Sequence, residues 1–297
     1  MMAGTRFAPD RGLTLRMVAT MFLLGLIYVL FVAALIALGV RALVVLAIAG
    51  GLLFVQYFFS DRIALFAMQG HEVSPQQAPE LHAIVDRLAA LAGIPKPRVA
   101  IADMDLPNAF ATGRNQREAV VCVTTGLLRR LDASELEGVI AHELSHVAHR
   151  DVAVMTIASF LGVVAGLMTR FVMYTGFGGR RNGNGPPVGL IIFVVSGVVY
   201  TLSFLLTRAL SRYRELAADR AGALLTQRPS ALASALTKVS GEIARIPTED
   251  LRAARPFSSF FFAPALSRQS VVTLLSTHPP LERRLEQLAQ ISRELGR

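Results

Sequence analysis

The sequence predicts an integral membrane α-helical protein: four transmembrane helices carrying an α+β domain built from two separate stretches of chain. Three observations predict it. Of 297 residues, 53% are hydrophobic and the mean hydropathy is +0.49, more apolar than an ordinary soluble chain. Four uncharged runs account for the excess: residues 17–40, 42–60, 152–169 and 186–207, each close to the ~20 residues that a helix needs to cross the hydrocarbon core. The segments between them carry charge, turn residues and amphipathic patterns instead.

The first run follows a basic arm of Arg6, Arg11 and Arg16. It is too long for the apolar part of a cleaved signal peptide, and a second run follows at once, so it reads as an anchor. Gly39-Val40-Arg41 is the turn of the resulting hairpin, which completes a first segment of 1–60 with spans of about 17–40 and 42–60. A second pair of spans, about 152–174 and 186–207, divides the rest into 61–151 and 208–297. Arginines crowd the N-terminal arm and the end of the fourth run (Arg208, Arg212, Arg214), while Arg41 and the Arg180-Arg181 pair mark the two short loops. That balance puts both termini, and both polar segments, on the inner side. Net charge is +9, spread along the chain and flanking spans. The arginines suit topology setting and anionic lipid, so the bilayer is the expected partner and nucleic acid is not.

Within 61–151, Pro75 and Pro79 interrupt regular structure. Leu81, Ile84, Val85, Leu88 and Leu91 then recur at helical spacing up to Gly93-Ile94-Pro95. Three short apolar runs, 98–102, 109–112 and 119–124, read as strands of a small, mostly antiparallel sheet. Cys122, the single cysteine, sits in the last run and reads as a buried thiol. A helix starts with Asp132 or Ser134 as its cap. Residues 176–187 read as a flexible loop rich in Gly, Asn and Pro. A long helix runs from the fourth span to Leu225, residues 247–270 are irregular around Phe260-Phe261-Phe262, and a last helix covers 281–295 after Pro279-Pro280.

The chemistry is concentrated in His142-Glu143-Leu144-Ser145-His146, inside the helix that starts near Asp132. Histidines at i and i+4 differ by about 40° around a helix, so both rings can reach one metal ion. Zinc at about 2.1 Å from each nitrogen is the natural ion. Glu143 is placed to take a proton from water on that ion without ligating it. A third ligand is required. His149 lies nearby but shares one straight helix with the other two. Position 152, where a third histidine ten residues on would fall, is Val152. Glu215 on a second helix is the better candidate, with Asp219 one turn later as a partner for a ligating histidine.

These motifs resemble the HtpX-like membrane zinc metalloproteases, gluzincins related to the CAAX-prenyl-protein endopeptidases. The resemblance rests on the His-Glu-Leu-Ser-His run with Asp151 following, on Pro107-Asn108-Ala109-Phe110-Ala111-Thr112-Gly113, and on Arg214-Glu215-Leu216-Ala217-Ala218-Asp219. Phe262-Ala263-Pro264-Ala265-Leu266 and Ser276-Thr277-His278-Pro279-Pro280 with Arg284 add to it. It covers essentially the whole chain. It implies a zincin-like catalytic domain and one zinc held by His142, His146 and Glu215. Glu143 would be general base, and Asp219, His278 and Arg284 would complete the catalytic set. Asn108, Ala109 and Phe110 would line the substrate strand. It further implies a multi-pass protein of the cell (inner) membrane with its active site on the cytoplasmic side, cleaving misfolded or damaged membrane proteins and other unfolded polypeptides. Two other readings stay open at this point: a processing protease of narrow specificity, and a non-catalytic membrane adaptor whose structural zinc would be closed by a fourth ligand, with His149 the obvious spare.

Overall fold

The computed structural model describes residues 11–37, 57–175, 187–245 and 278–296, with isolated helical positions between 47 and 55. Most of the second expected span, the loop at 176–186 and the Phe260–Phe262 cluster lie outside the described residues. In chain order the elements are α1 (Arg11–Ala37), α2 (Ser60–Ala67), β1 (Gly70–Glu72), α3 (Pro79–Ala92), β2 (Arg98–Ala102), β3 (Ala109–Thr112) and β4 (Val120–Thr124). There follow α4 (Thr125–Arg130), α5 (Ala133–Ala148), α6 (Asp151–Thr175), α7 (Val188–Thr226), α8 (Pro229–Arg245) and α9 (Leu281–Glu294). They fall into two compact units, one of residues 1–13, 58–153 and 211–297, the other of 14–57 and 154–210.

The first unit is built on a four-stranded sheet of order β1-β2-β4-β3. Two of its pairings are antiparallel, but the central one, β2 with β4, is parallel, with Val99 opposite Val121. The sheet is thus mostly antiparallel, as expected, and β3 adds to β4 from the outside and so forms a sheet edge. One face of the sheet carries Val99, Val121 and Val123 into a core with α3, α5, α8 and α9, including Leu88, Ile140, Leu144, Leu236 and Leu288. The other face packs Ala100, Ala102, Phe110, Val120 and Cys122 against Ala64 and Met68 at α2. Pro79 opens α3 at a position where its missing N–H costs nothing, and Gly93 closes it at φ 67°. Asp132 caps α5 in a reciprocal arrangement with Glu135.

Helices α5, α7 and α8 approach closely because small residues stand at their crossings. A Cβ on Gly222 would lie 2.9 Å from the backbone nitrogen of His142, and one on Gly138 would lie 3.2 Å from the backbone of Leu232. Helix α5 ends at Ala148, with His149 as its cap. A single left-handed residue, Arg150 at φ 57°, follows before α6 begins at Asp151.

The second unit is helical. Leu24, Phe31 and Leu35 of α1, Ala158, Val164 and Ala165 of α6, and Val199 and Leu210 of α7 form its core. Gly162 and Gly166 of α6 face Ser203 and Tyr200 of α7, the small-residue spacing that lets helices meet in lipid. Among the described residues, two helical stretches are long and apolar enough to cross a membrane, Leu15–Ala37 and the apolar part of Val188–Thr226. Only 22% of each apolar window is buried, so most of that surface needs a non-aqueous solvent. α6 contributes a shorter apolar stretch, Gly162–Tyr174.

Candidate active site

Helix α5 presents His142 and His146 on one side because they are four residues apart. Their Nε2 atoms lie 3.2 Å from each other. Glu215 comes from α7, beyond its apolar run. Its carboxylate oxygens lie 3.8 Å from His142 Nε2 and 3.4 Å from His146 Nε2. One ligand atom from each of the three residues falls within 4.8 Å of the others. Tetrahedral zinc at about 2.1 Å from each ligand separates neighbouring ligand atoms by about 3.4 Å. The spacings of 3.2, 3.4 and 3.8 Å therefore fit such an ion.

The second nitrogens of both rings are also engaged. Asp219 Oδ1 stands 2.9 Å from His142 Nδ1, and Asp151 Oδ2 stands 2.6 Å from His146 Nδ1. Carboxylates in those places fix the tautomer that turns Nε2 towards the cluster. Burial lowers the pKa of His142, against the pull of Asp219, which keeps the ring in the neutral form that a metal requires. Each carboxylate is held in turn. Arg214 donates to Asp151. Arg284, with a fully buried side chain, forks onto both oxygens of Asp219 at 2.7 and 2.6 Å. Burial works against the Arg284 charge, but Asp219 beside it raises the pKa above the ordinary value. His278 Nδ1 reaches Glu215 Oε2 at 2.9 Å.

Glu143 is buried beside the cluster, and burial pushes its pKa up to about 7. Its Oε2 accepts from the backbone N–H of Ala111 at 3.0 Å, joining α5 to the edge strand β3. Asn108 is buried, and Thr124 pins its main chain: its N–H donates to Thr124 Oγ1 and its carbonyl accepts from the Thr124 N–H, both at 2.9 Å. By the alternation of an antiparallel pair, the Asn108 and Phe110 main chains face β4 while Ala109 and Ala111 face outward. The Phe110 ring is buried on the α2 side of the sheet. Phe110 therefore supports the strand from beneath, and the outward groups belong to its neighbours.

The arrangement brings together His142, Glu143, His146, Glu215, Asp219, His278 and Arg284. His149 turns elsewhere: its Nδ1 bonds the Ser145 carbonyl at 2.8 Å. Among the described residues, the metal-capable cluster consists of His142, His146 and Glu215. A structural site closed by His149 has no support in this geometry. Sequence reasoning did not assign Arg214 or the Ala111 amide to the site. Arg214 sits immediately before Glu215 in the motif and turns to a different acid.

The profile of peptidase family M48 matches residues 75–292. The chain is 63% identical over 294 residues to "Protease HtpX homolog 1" of Streptomyces coelicolor, covering 98% of this chain and 97% of that one. It is 53% identical to a "Protease HtpX homolog" of Moorella thermoacetica, covering 98% of each. Among solved structures, Ste24p of S. mikatae superposes with a TM-score of 0.55 at 18% identity, covering 89% of this chain and 62% of that one. That likeness shows a shared fold. A profile that covers β2 to β4, both site-bearing helices and most of α9, with 53–63% identity to HtpX homologues over nearly the full length, means that the chain belongs to peptidase family M48, among its HtpX-like membrane metalloproteases.

Proposed function

We propose that this chain is a zinc endopeptidase of the cell membrane that cleaves unfolded or damaged membrane proteins. The observation that carries the reading is one cluster in which His142, His146 and Glu215 converge while Glu143, the residue after His142, stands beside it outside the ligand set, anchored to Ala111. His142, His146 and Glu215 would hold the ion. When bound, zinc supplies a Lewis acid and brings the pKa of water towards about 7. Glu143 takes the proton of the attacking water and returns it to the leaving amine. Burial raises the proton affinity of its carboxyl, which favours a group that takes a proton and gives it back. Its bond from Ala111 sets its distance from β3. An extended peptide adds to the outer edge of β3 through the outward main chain of Ala109 and the carbonyl of Ala111, whose N–H is held by Glu143, so recognition is largely independent of side chains. Asn108, pinned by Thr124, fixes where that edge begins. Asp219, Arg284 and His278 position His142 and Glu215.

Recognition through the main chain suits polypeptides that have lost their fold. Four spans, with both halves of the catalytic unit on the cytoplasmic side, would put the site beside the bilayer where misassembled membrane proteins expose loops. The test compares the purified protein with its Glu143→Gln variant in detergent, measuring zinc content and cleavage of unfolded casein. The expected outcome is about one zinc per chain in both, with cleavage only by the wild type and none after chelation. Zinc in neither preparation removes the ligand assignment. Zinc in both with no cleavage of any unfolded chain removes the broad-specificity reading.

A further inference from the structure

We propose that α2 is an interfacial foot: its outward face rests on the headgroup layer of an anionic lipid bilayer and holds the catalytic unit at a fixed depth. The helix has two unlike faces. Ala64 and Met68 are buried, with Leu65 partly buried beside them, against the sheet residues Ala100, Ala102, Phe110, Val120 and Cys122. Phe59, Ile63 and Phe66 recur at i, i+4 and i+7 and point away from the sheet. They are 39%, 47% and 89% exposed, although all three are large and apolar. Water is a poor solvent for such a row.

Three observations name lipid as the occupant. First, the row continues in the chain from the uncharged run of residues 42–60, while the helix itself is set off by a break at Phe59, whose φ of −112° and ψ of 14° are not helical. Second, the cations are placed as headgroup ligands. Arg62 lies over the Phe59 ring at 5.7 Å, and Arg114, which also pairs with Glu118 at 3.5 Å, lies over the Phe58 ring at 5.6 Å. Aromatic rings at the interface with guanidinium groups reaching for phosphate are the pattern of an interfacial helix. Third, the acids of this region are already matched: Arg98 binds both Asp61 and Glu72, so they do not oppose an anionic surface. That same Arg98 fork ties the start of α2 to β1 and β2. The depth of α2 therefore becomes the depth of the sheet, and of its β3 edge.

This inference rests on the reading of the chain as a membrane protein, and the test separates the two. The chain contains no tryptophan, so one introduced residue reports alone. Full-length Phe66→Trp, Ile63→Trp and, as a control on the exposed side of α3 across the sheet, Ala83→Trp are reconstituted in phosphatidylcholine–phosphatidylglycerol vesicles. The lipids are brominated near the headgroup or near the chain end. Flotation with the vesicles tests membrane insertion by itself. In floated protein, the expected result is loss of most of the emission at positions 66 and 63 with shallow bromines, less with deep ones, and none at position 83. Emission unchanged by bromine but open to acrylamide means that the face meets water, which overturns the proposal. Emission shielded from acrylamide yet indifferent to bromine means that protein covers it, either a second copy or residues 246–277, and also overturns it. Stronger quenching from deep bromines means a spanning helix, which overturns it as well. Should Phe66→Trp fail to melt like the wild type, Ile63→Trp decides alone.

Discussion

Cys122 illustrates how far one side chain can report on its surroundings. It is fully buried between β2, β3 and α2, and burial pushes its thiol up to about 12. The folded chain keeps that proton across a range in which the unfolded chain, titrating near 9, has lost it. Stability contributed by the neutral thiol is therefore complete below pH 9 and falls above it, by about 1.4 kcal/mol per pH unit up to about pH 12. Alkaline unfolding should be shallower in Cys122→Ala than in the wild type once the loss at neutral pH is subtracted. In the native protein the thiol should resist iodoacetamide at pH 8 and react on denaturation. Rapid native alkylation would contradict the packing described for α2. That Cys122 would be buried was legible in its apolar neighbours. The roles of Arg214 and the Ala111 amide were not, because each depends on which distant residue the fold brings near.

At the level of elements, local signals were legible and pairings were not. The HExxH helix, its Asp132 cap and the Gly93 stop are all written within one turn of their effect. β1 is three residues, Gly-His-Glu, with no apolar alternation to announce it. The parallel pairing of β2 with β4 depends on chain that leaves the sheet, forms β3 and returns. α8 does carry helical spacing at Leu232, Ala235, Leu236 and Val239, but alanines make that stripe faint. The crossing of α5 and α7 has a sharper consequence. Replacing Gly222 with alanine puts a methyl 2.9 Å from His142 N and 3.2 Å from its Cα, against backbone that must move as a whole. Glu215 and Asp219 ride on the same helix. Zinc affinity, measured by competition with a chromophoric chelator, should fall about tenfold or more, as when a partner of a ligand is lost. An unchanged affinity would show that the crossing does not set the ligand spacing.

For the molecule as a whole, the catalytic unit is discontinuous: residues 58–153 and 211–297 meet only after the chain has passed through the helical unit. Two of the proposed ligands lie in the first part and one in the second, so an ion held by all three would be a cross-link between them. Binding only to the folded state, it should stabilise by about 2.7 kcal/mol when free zinc stands at 100 times its Kd. Chelation should accordingly lower the melting temperature of the wild type, and much less that of His146→Ala. Equal shifts in the two would locate the stabilising ion elsewhere. Hydropathy made the membrane half legible at once. The long helix expected from the fourth span to Leu225 is also present, as α7, Val188–Thr226.

The junction between α5 and α6 is a matter of angular phase. In an unbroken helix, residue 151 would sit about 140° round the axis from residue 146, on the wrong side to serve it. The left-handed step at Arg150 resets the count, so that Asp151 returns beneath His146. The ligand is thus aimed by a punctuation mark, a place where helix must not continue. Arg150→Gly should keep activity and add up to about 1 kcal/mol of stability, since glycine takes that conformation without penalty. Arg150→Val, which resists it, should lose zinc affinity and cleavage together. If valine is tolerated as well as glycine in a metal titration, the step at 150 is incidental to the site.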